Sequence, residues 1–204
     1  MAVITADDLR VHLRLTDPSA QDTPALTVAV NAANQAVINY CHRTFDATTT
    51  ASASARVYRP KTPTLTVTDD FWTTTALTVA VDSSQNNSYG TTLTLNTDFL
   101  LEPLNGMEDG QTVPYRRLIG FSGVFNCWAQ FPYVRVTAAW GWASVPAVVK
   151  DATLIKAARL FYRRNSPEGF AGGFSEFGPA RITSREDPDC AMLLQPYIRD
   201  AIPT

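Results

Sequence analysis

The sequence predicts an α+β fold. A small helical bundle, made of an N-terminal helix pair and a long C-terminal helix, carries an antiparallel β insertion and ends in an extended C-terminal arm. Three observations point there. Apolar residues recur at helical spacing up to His42 and again after Pro146, and at a spacing of two between them. The links between successive β runs are too short for helical crossovers, so their pairing is antiparallel. After Asn165 the chain turns glycine-rich, with spaced phenylalanines and one short capped helix near its end. The expected division is 1–54 with 141–165 for the helical core, 55–140 for the β insertion and 166–204 for the arm.

Each element has a local reason. Thr5 with Asp8 reads as a capping box, and acidic residues in the first turn suit the helix dipole, so a helix is expected over residues 7–15. "TDPSAQ" stops it. Thr23-Pro24 is an N-cap followed by proline at the first helical position. Leu26, Val30, Ala33 and Val37 then continue one stripe to about His42. The small polar run "DATTTASAS" links this pair to strands read from "ARVYRP", "TLTVTD", "ALTVAVD", "TLTLN", "YRRLIGF" and "YVRVTAAW", with Val57, Leu65, Val67, Leu77, Val79, Val81, Leu93 and Leu95 as their alternating apolar set. "DSSQNNSYG" and "NGMEDG" read as exposed loops.

At "AAWGWASVP" the chain passes from strand to helix. Gly141 permits a sharp turn where a Cβ would obstruct. Trp140 and Trp142 flank it and are expected to seal the seam between the β insertion and the helical layer. Pro146 opens the next helix, to about Asn165. In that helix Val148, Ile155 and Tyr162 are expected to pack on Leu26, Val30 and Val37. Asp187-Pro188 caps a last helix through Leu194, ended by Pro196 and followed by Tyr197.

Charged residues make up 18% of the 204, below the ~25% of an ordinary soluble domain, which suits a surface partly covered by partners. The net charge of −2 gives no general case for binding nucleic acid or an anionic membrane. Cys41, Cys127 and Cys190 are sparse, odd in number and lack Cys-x-x-Cys spacing, so they read as reduced thiols with no metal site. With no apolar leader and no run of about 18 apolar residues, a chain made in the cytoplasm without a membrane span is expected.

The sequence offers little chemistry. His12 and His42 both lie on helices beside arginine, without metal-ligand spacing. No nucleophile elbow, phosphate loop or zinc-protease motif occurs, so no catalytic, cofactor or metal residue is assigned. The marked charge run is Lys150, Lys156, Arg159, Arg163 and Arg164. The last two fall in the final helical turn, where cations offset the dipole. Lys156, Arg159 and Arg163 share a side that could meet an acidic partner.

The order of elements resembles the head-to-tail adaptor (head–tail connector) proteins of long-tailed double-stranded DNA phages. "VRVTAAWGWASVP", the helix "AVVKDATLIKAARLFYRRNSPEG" and "GPARITSREDPDCAMLLQPYIR" carry the resemblance most specifically. It implies a non-enzymatic virion protein of the head–tail neck, assembled in the host cytoplasm. Such a protein forms a homo-oligomeric, dodecameric ring. The ring docks to the portal protein and meets the stopper or tail-terminator protein, while DNA passes through the lumen without sequence-specific contact. It places portal or subunit contacts on the arm and the helix before it: Lys156, Arg159, Arg163, Arg164, Phe170, Phe174, Phe177, Arg181 and Tyr197. The structural corner is Trp140, Gly141, Trp142 and Pro146. Two other readings stay open. One is a monomeric β-rich module binding carbohydrate or peptide through Phe71, Trp72 and Trp128. The other is a hydrolase with His12 or His42 in a cleft.

Overall fold

The computed structural model describes residues 2–16, 22–46, 48–84, 86–125, 134–164, 170–171, 180–181 and 187–199. The chain divides into two compact units, Met1–Thr44 with Val145–Thr204, and Phe45–Ser144. The fold is α+β, with four α-helices among the described residues and antiparallel pairing between all named strands.

The first unit holds α1 (Ala6–His12), α2 (Asp22–Cys41), α3 (Ala147–Arg163) and α4 (Pro188–Leu194). The capping box of α1 forms as expected: Thr5 Oγ1 accepts from the Asp8 amide at 3.2 Å, and Asp8 accepts from the Thr5 amide at 2.7 Å. Helix α2 begins at Asp22, one residue before the expected cap, and buries Leu26, Ala29, Val30, Ala33 and Val37. Asn34 is buried on the same side. Its side chain accepts from the Ile4 amide and donates to the Ile4 carbonyl, both at 3.1 Å. It thereby imitates a strand partner and pins the N-terminal segment to α2.

Helix α3 begins at Ala147, with Pro146 as its N-cap rather than its first residue. It buries Val149, Ala152, Thr153, Ala157 and Phe161. This corrects the expected stripe: Val148 and Tyr162 are exposed and Ile155 is half-buried. The small residues Ala152 and Ala157 allow close helix approach, so the core side is set by compact side chains rather than by the largest apolar ones. Helix α4 packs on α3. Asp187 caps its first turn, Cys190 and Leu194 are buried, and the Cys190 thiol donates to the Ala152 carbonyl at 3.4 Å. Beyond it, the Arg199 amide donates to the Cys41 carbonyl. Residues 187–199, expected within the arm, pack with the helical unit.

In the second unit, β1 (Ser54–Tyr58), β9 (Val134–Ala138), β3 (Thr78–Val81) and β4 (Thr91–Leu93) form a four-stranded sheet in that order. A three-stranded sheet follows the order β2 (Leu65–Phe71), β8 (Tyr115–Gly120), β5 (Phe99–Glu102). Their buried faces share one core of Phe71, Val79, Val81, Leu93, Phe99, Leu101, Leu118, Phe125, Val134, Val136 and Trp140.

The strand reading fails at several points. In β2 the buried residues are Thr66, Thr68 and Asp70, while Leu65 and Val67 are half-buried. A register irregularity between Val67 and Phe71 then brings Phe71 into the core. In β1, Val57 is 50% exposed, because its partner Arg135 sets it on the outward face. The short strand β5 was not separated from its neighbours by sequence. "NGMEDG" is more than a loop: β6 (Met107–Glu108) pairs with β7 (Gln111–Thr112), and Arg116 clamps the Glu108 carboxylate with two bonds of 2.8 Å. The Asp82 loop is held by its own carboxylate, which accepts from the amides of Ser84, Asn86 and Asn87.

Candidate partner-binding surface

The corner that closes the β unit is built from residues the sequence singled out. Trp140 is 5% exposed and donates from Nε1 to the Ser54 carbonyl at 2.8 Å. Phe71 meets its ring edge-on at 6.0 Å, and the Arg56 guanidinium lies 4.5 Å above it. Arg56 also pairs with Asp69 at 2.6 Å, and the Tyr58 hydroxyl donates to the same carboxylate. Burial pushes the Tyr58 phenol well up, so it stays a donor at any ordinary pH.

Gly141 has φ +98, and a Cβ there would lie 2.1 Å from the Asp46 carbonyl oxygen. Trp142 stacks against Phe45 at 5.5 Å, and its amide donates to that same Asp46 oxygen. Backbone conformation and close approach together make glycine obligatory at 141. These partners all lie within the β unit.

The residues expected to meet a partner are distributed unevenly. Lys156 is half-buried, and Arg163 is exposed in the last turn of α3. Arg159 is 63% exposed, yet it pairs with the buried carboxylate of Asp187. Arg164 pairs with Asp22 and lies 4.3 Å over the Phe161 ring. The two arginines thus join α3 to α4 and to the start of α2. The Asp partners sit 28 and 142 residues away, beyond any helical spacing rule, so these pairs were not legible in the sequence. Phe170 and Arg181 stand opposite each other where β10 (Phe170–Ala171) pairs with β11 (Ala180–Arg181). Phe174 and Phe177 lie outside the described residues, as does Trp128. Tyr197 is half-buried in the turn after α4.

The outward side of unit one carries apolar residues that sequence reasoning had placed inside or passed over. Tyr162 is 56% exposed, and Val11, Val28, Val148 and Met192 are also exposed. Among the described residues no group of three or more His, Cys, Asp or Glu is placed to hold a metal ion. No described helix is long and apolar enough to cross a membrane. Burial pushes the Cys41 thiol up to about 11, the opposite of an activated nucleophile.

Fold and surface therefore define an α+β protein whose most built-up features are a packed corner and ion-paired helices. No family model matches the chain, and no curated protein matches it. Its fold is similar to that of a chain in a solved structure described as the neck of an empty GTA particle computed with C6 symmetry. The TM-score is 0.53 and the identity 17%, over 98% of this chain and 91% of the other.

Proposed function

We propose that this protein is a structural component of the neck of a phage-like particle, and more specifically a head-to-tail adaptor. Copies form a ring between the portal and the stopper or tail, with DNA passing through the lumen. The observation that carries this reading is the whole-chain likeness to a neck protein: 98% of this chain and 91% of the other align, so both the helical unit and the interrupting β unit are shared. The exposed apolar residues of the helical unit support it, because an assembled chain has neighbours to cover them. The role is non-enzymatic, and the protein is a virion component.

Within this reading Arg163, Phe170, Phe174, Phe177, Arg181 and Tyr197 contact the portal or a neighbouring subunit. Lys156 flanks that surface, while Arg159 and Arg164 shape it through their pairs with Asp187 and Asp22. The test is co-sedimentation of the purified chain with capsids that carry their portal and with portal-free shells. Binding confined to portal-bearing capsids is expected. Equal binding to both, or to neither, rejects the adaptor assignment.

A further inference from the structure

The outward side of α2 carries no charge. Of its 20 residues only Asp22 is charged, at the first position. Leu26, Ala29, Val30, Ala33 and Val37 fill one side of the helix. At 100° per residue the opposite side presents Val28, Asn31, Ala32, Gln35 and Asn39, and all five are exposed. Val28 is 70% exposed. The solvent side of a surface helix ordinarily bears charged groups. Here two of its amides bond to each other instead, Gln35 Nε2 donating to Asn39 Oδ1 at 2.8 Å.

Helix α3 carries a second outward stripe, Val148, Ile155 and Tyr162, with the exposed Asp151 between the first two, on the side away from Val149, Thr153 and Ala157. Phe161 braces the Tyr162 ring edge-on at 5.7 Å. The cations bordering this stripe are largely matched already, Arg159 by Asp187 and Arg164 by Asp22.

Resting on the ring reading above, we propose that the α2 stripe of one copy packs on the α3 stripe of a second copy. Both helices pack on each other within the chain, and each stripe points away from that shared core, so neither stripe covers the other in one molecule. A contact between two different patches is heterologous and repeats from copy to copy, closing into a ring where the rotation allows.

The two surfaces suit each other. The uncharged α2 stripe adds no ion of its own to the contact, and its amides can donate to the Asp151 carboxylate and accept from the Tyr162 hydroxyl and the flanking Arg163. Their lengths also agree, about 17 Å from Val28 to Asn39 and about 21 Å from Val148 to Tyr162. One helix-on-helix contact falls well short of the ~800 Å² per partner of a stable pair. The dilute chain is therefore a monomer, and the contact forms at high concentration or on the particle.

Cysteine cross-linking tests the geometry. Full-length Val28→Cys and Tyr162→Cys chains, both with Cys127→Ser, are oxidised separately and mixed. The buried Cys41 and Cys190 stay out of the reaction. A disulfide-linked dimer is expected only in the mixture, and a ladder of multimers from the chain bearing both substitutions. Dimers of Val28→Cys alone overturn the heterologous contact. Rings visible by electron microscopy without mixed dimers overturn this inference and leave the ring reading standing. No oligomer under any condition, including with portal-bearing capsids, removes both. Val28→Glu serves as a second variant: ring formation should be lost with the melting temperature unchanged, and rings at wild-type level overturn the proposal.

Discussion

At the scale of single residues, the tightest constraints are geometric. Gly141 and Gly110 both have positive φ, but only at Gly141 does a new Cβ meet backbone, whereas nothing lies within 4 Å at Gly110. Gly110→Ala should cost about 1 kcal/mol from conformation alone. Gly141→Ala should cost several times that, and equal losses in urea unfolding would contradict the close approach to Asp46. Trp140→Ala removes a nearly buried ring and its bond to Ser54, for a loss of about 3–5 kcal/mol. The tight turn at Gly141 was legible in the sequence; the expected sealing of the β region against the helix was not what formed, since the named partners of Trp140 and Trp142 lie within the β unit. Asn34 was not legible: a mid-helix asparagine carries no sign that its partner is the backbone of Ile4, 30 residues earlier. Titration enters modestly. Bonds from the Thr5 amide and hydroxyl lower the Asp8 pKa, so the ionised cap contributes stability above the unfolded carboxyl range. That contribution should begin to fall as pH drops below about 4 and be lost once pH is below the lowered folded value, and Asp8→Asn should flatten the acid limb. An unchanged acid limb would contradict it.

At the scale of elements, the existence of the helices was legible, and so was the phase of α2, whose stripe Leu26, Val30, Ala33 and Val37 is buried; the phase of α3 was not. Capping residues and prolines mark where α1, α3 and α4 begin, because orphan amides at a helix start need specific acceptors. The phase of α3 was read partly right: Ala152 of the expected stripe and Phe161 beside it are buried, but the core side turns toward Val149, Thr153 and Ala157 rather than Val148, Ile155 and Tyr162. Strand β2 misled similarly, since threonine is β-branched and can line a core as valine does. The docking of α4 has a direct consequence. Deleting residues 187–204 removes Leu194 and Cys190 from the core and leaves Arg159 without Asp187. Amides of α3 around Ala152 should then exchange much faster, reflecting a loss of about 3 kcal/mol or more. Unchanged protection there would mean that α4 is dispensable. Charge reversal also separates the arginines. Arg163→Glu should keep the fold and impair assembly, whereas Arg159→Glu should destabilise α4 as well, seen as a lower melting temperature in the second variant alone.

At the scale of the whole molecule, the helical unit interrupted by a β unit is the feature shared with the GTA-particle neck chain, and the sequence showed it as one change of hydrophobic period and back. The surfaces proposed for assembly were less legible. A chain whose partners are other proteins distributes its function over ordinary exposed side chains, which single-sequence patterns do not distinguish from solvated ones. A small β-rich binding module would use the β loops and remain a monomer on any particle. Electron microscopy of the protein added to portal-bearing capsids tests the central claim most directly. A ring of symmetry-related copies at the portal vertex, with an open lumen on the particle axis, is the expected result. A portal vertex that stays bare while the protein remains monomeric would contradict it.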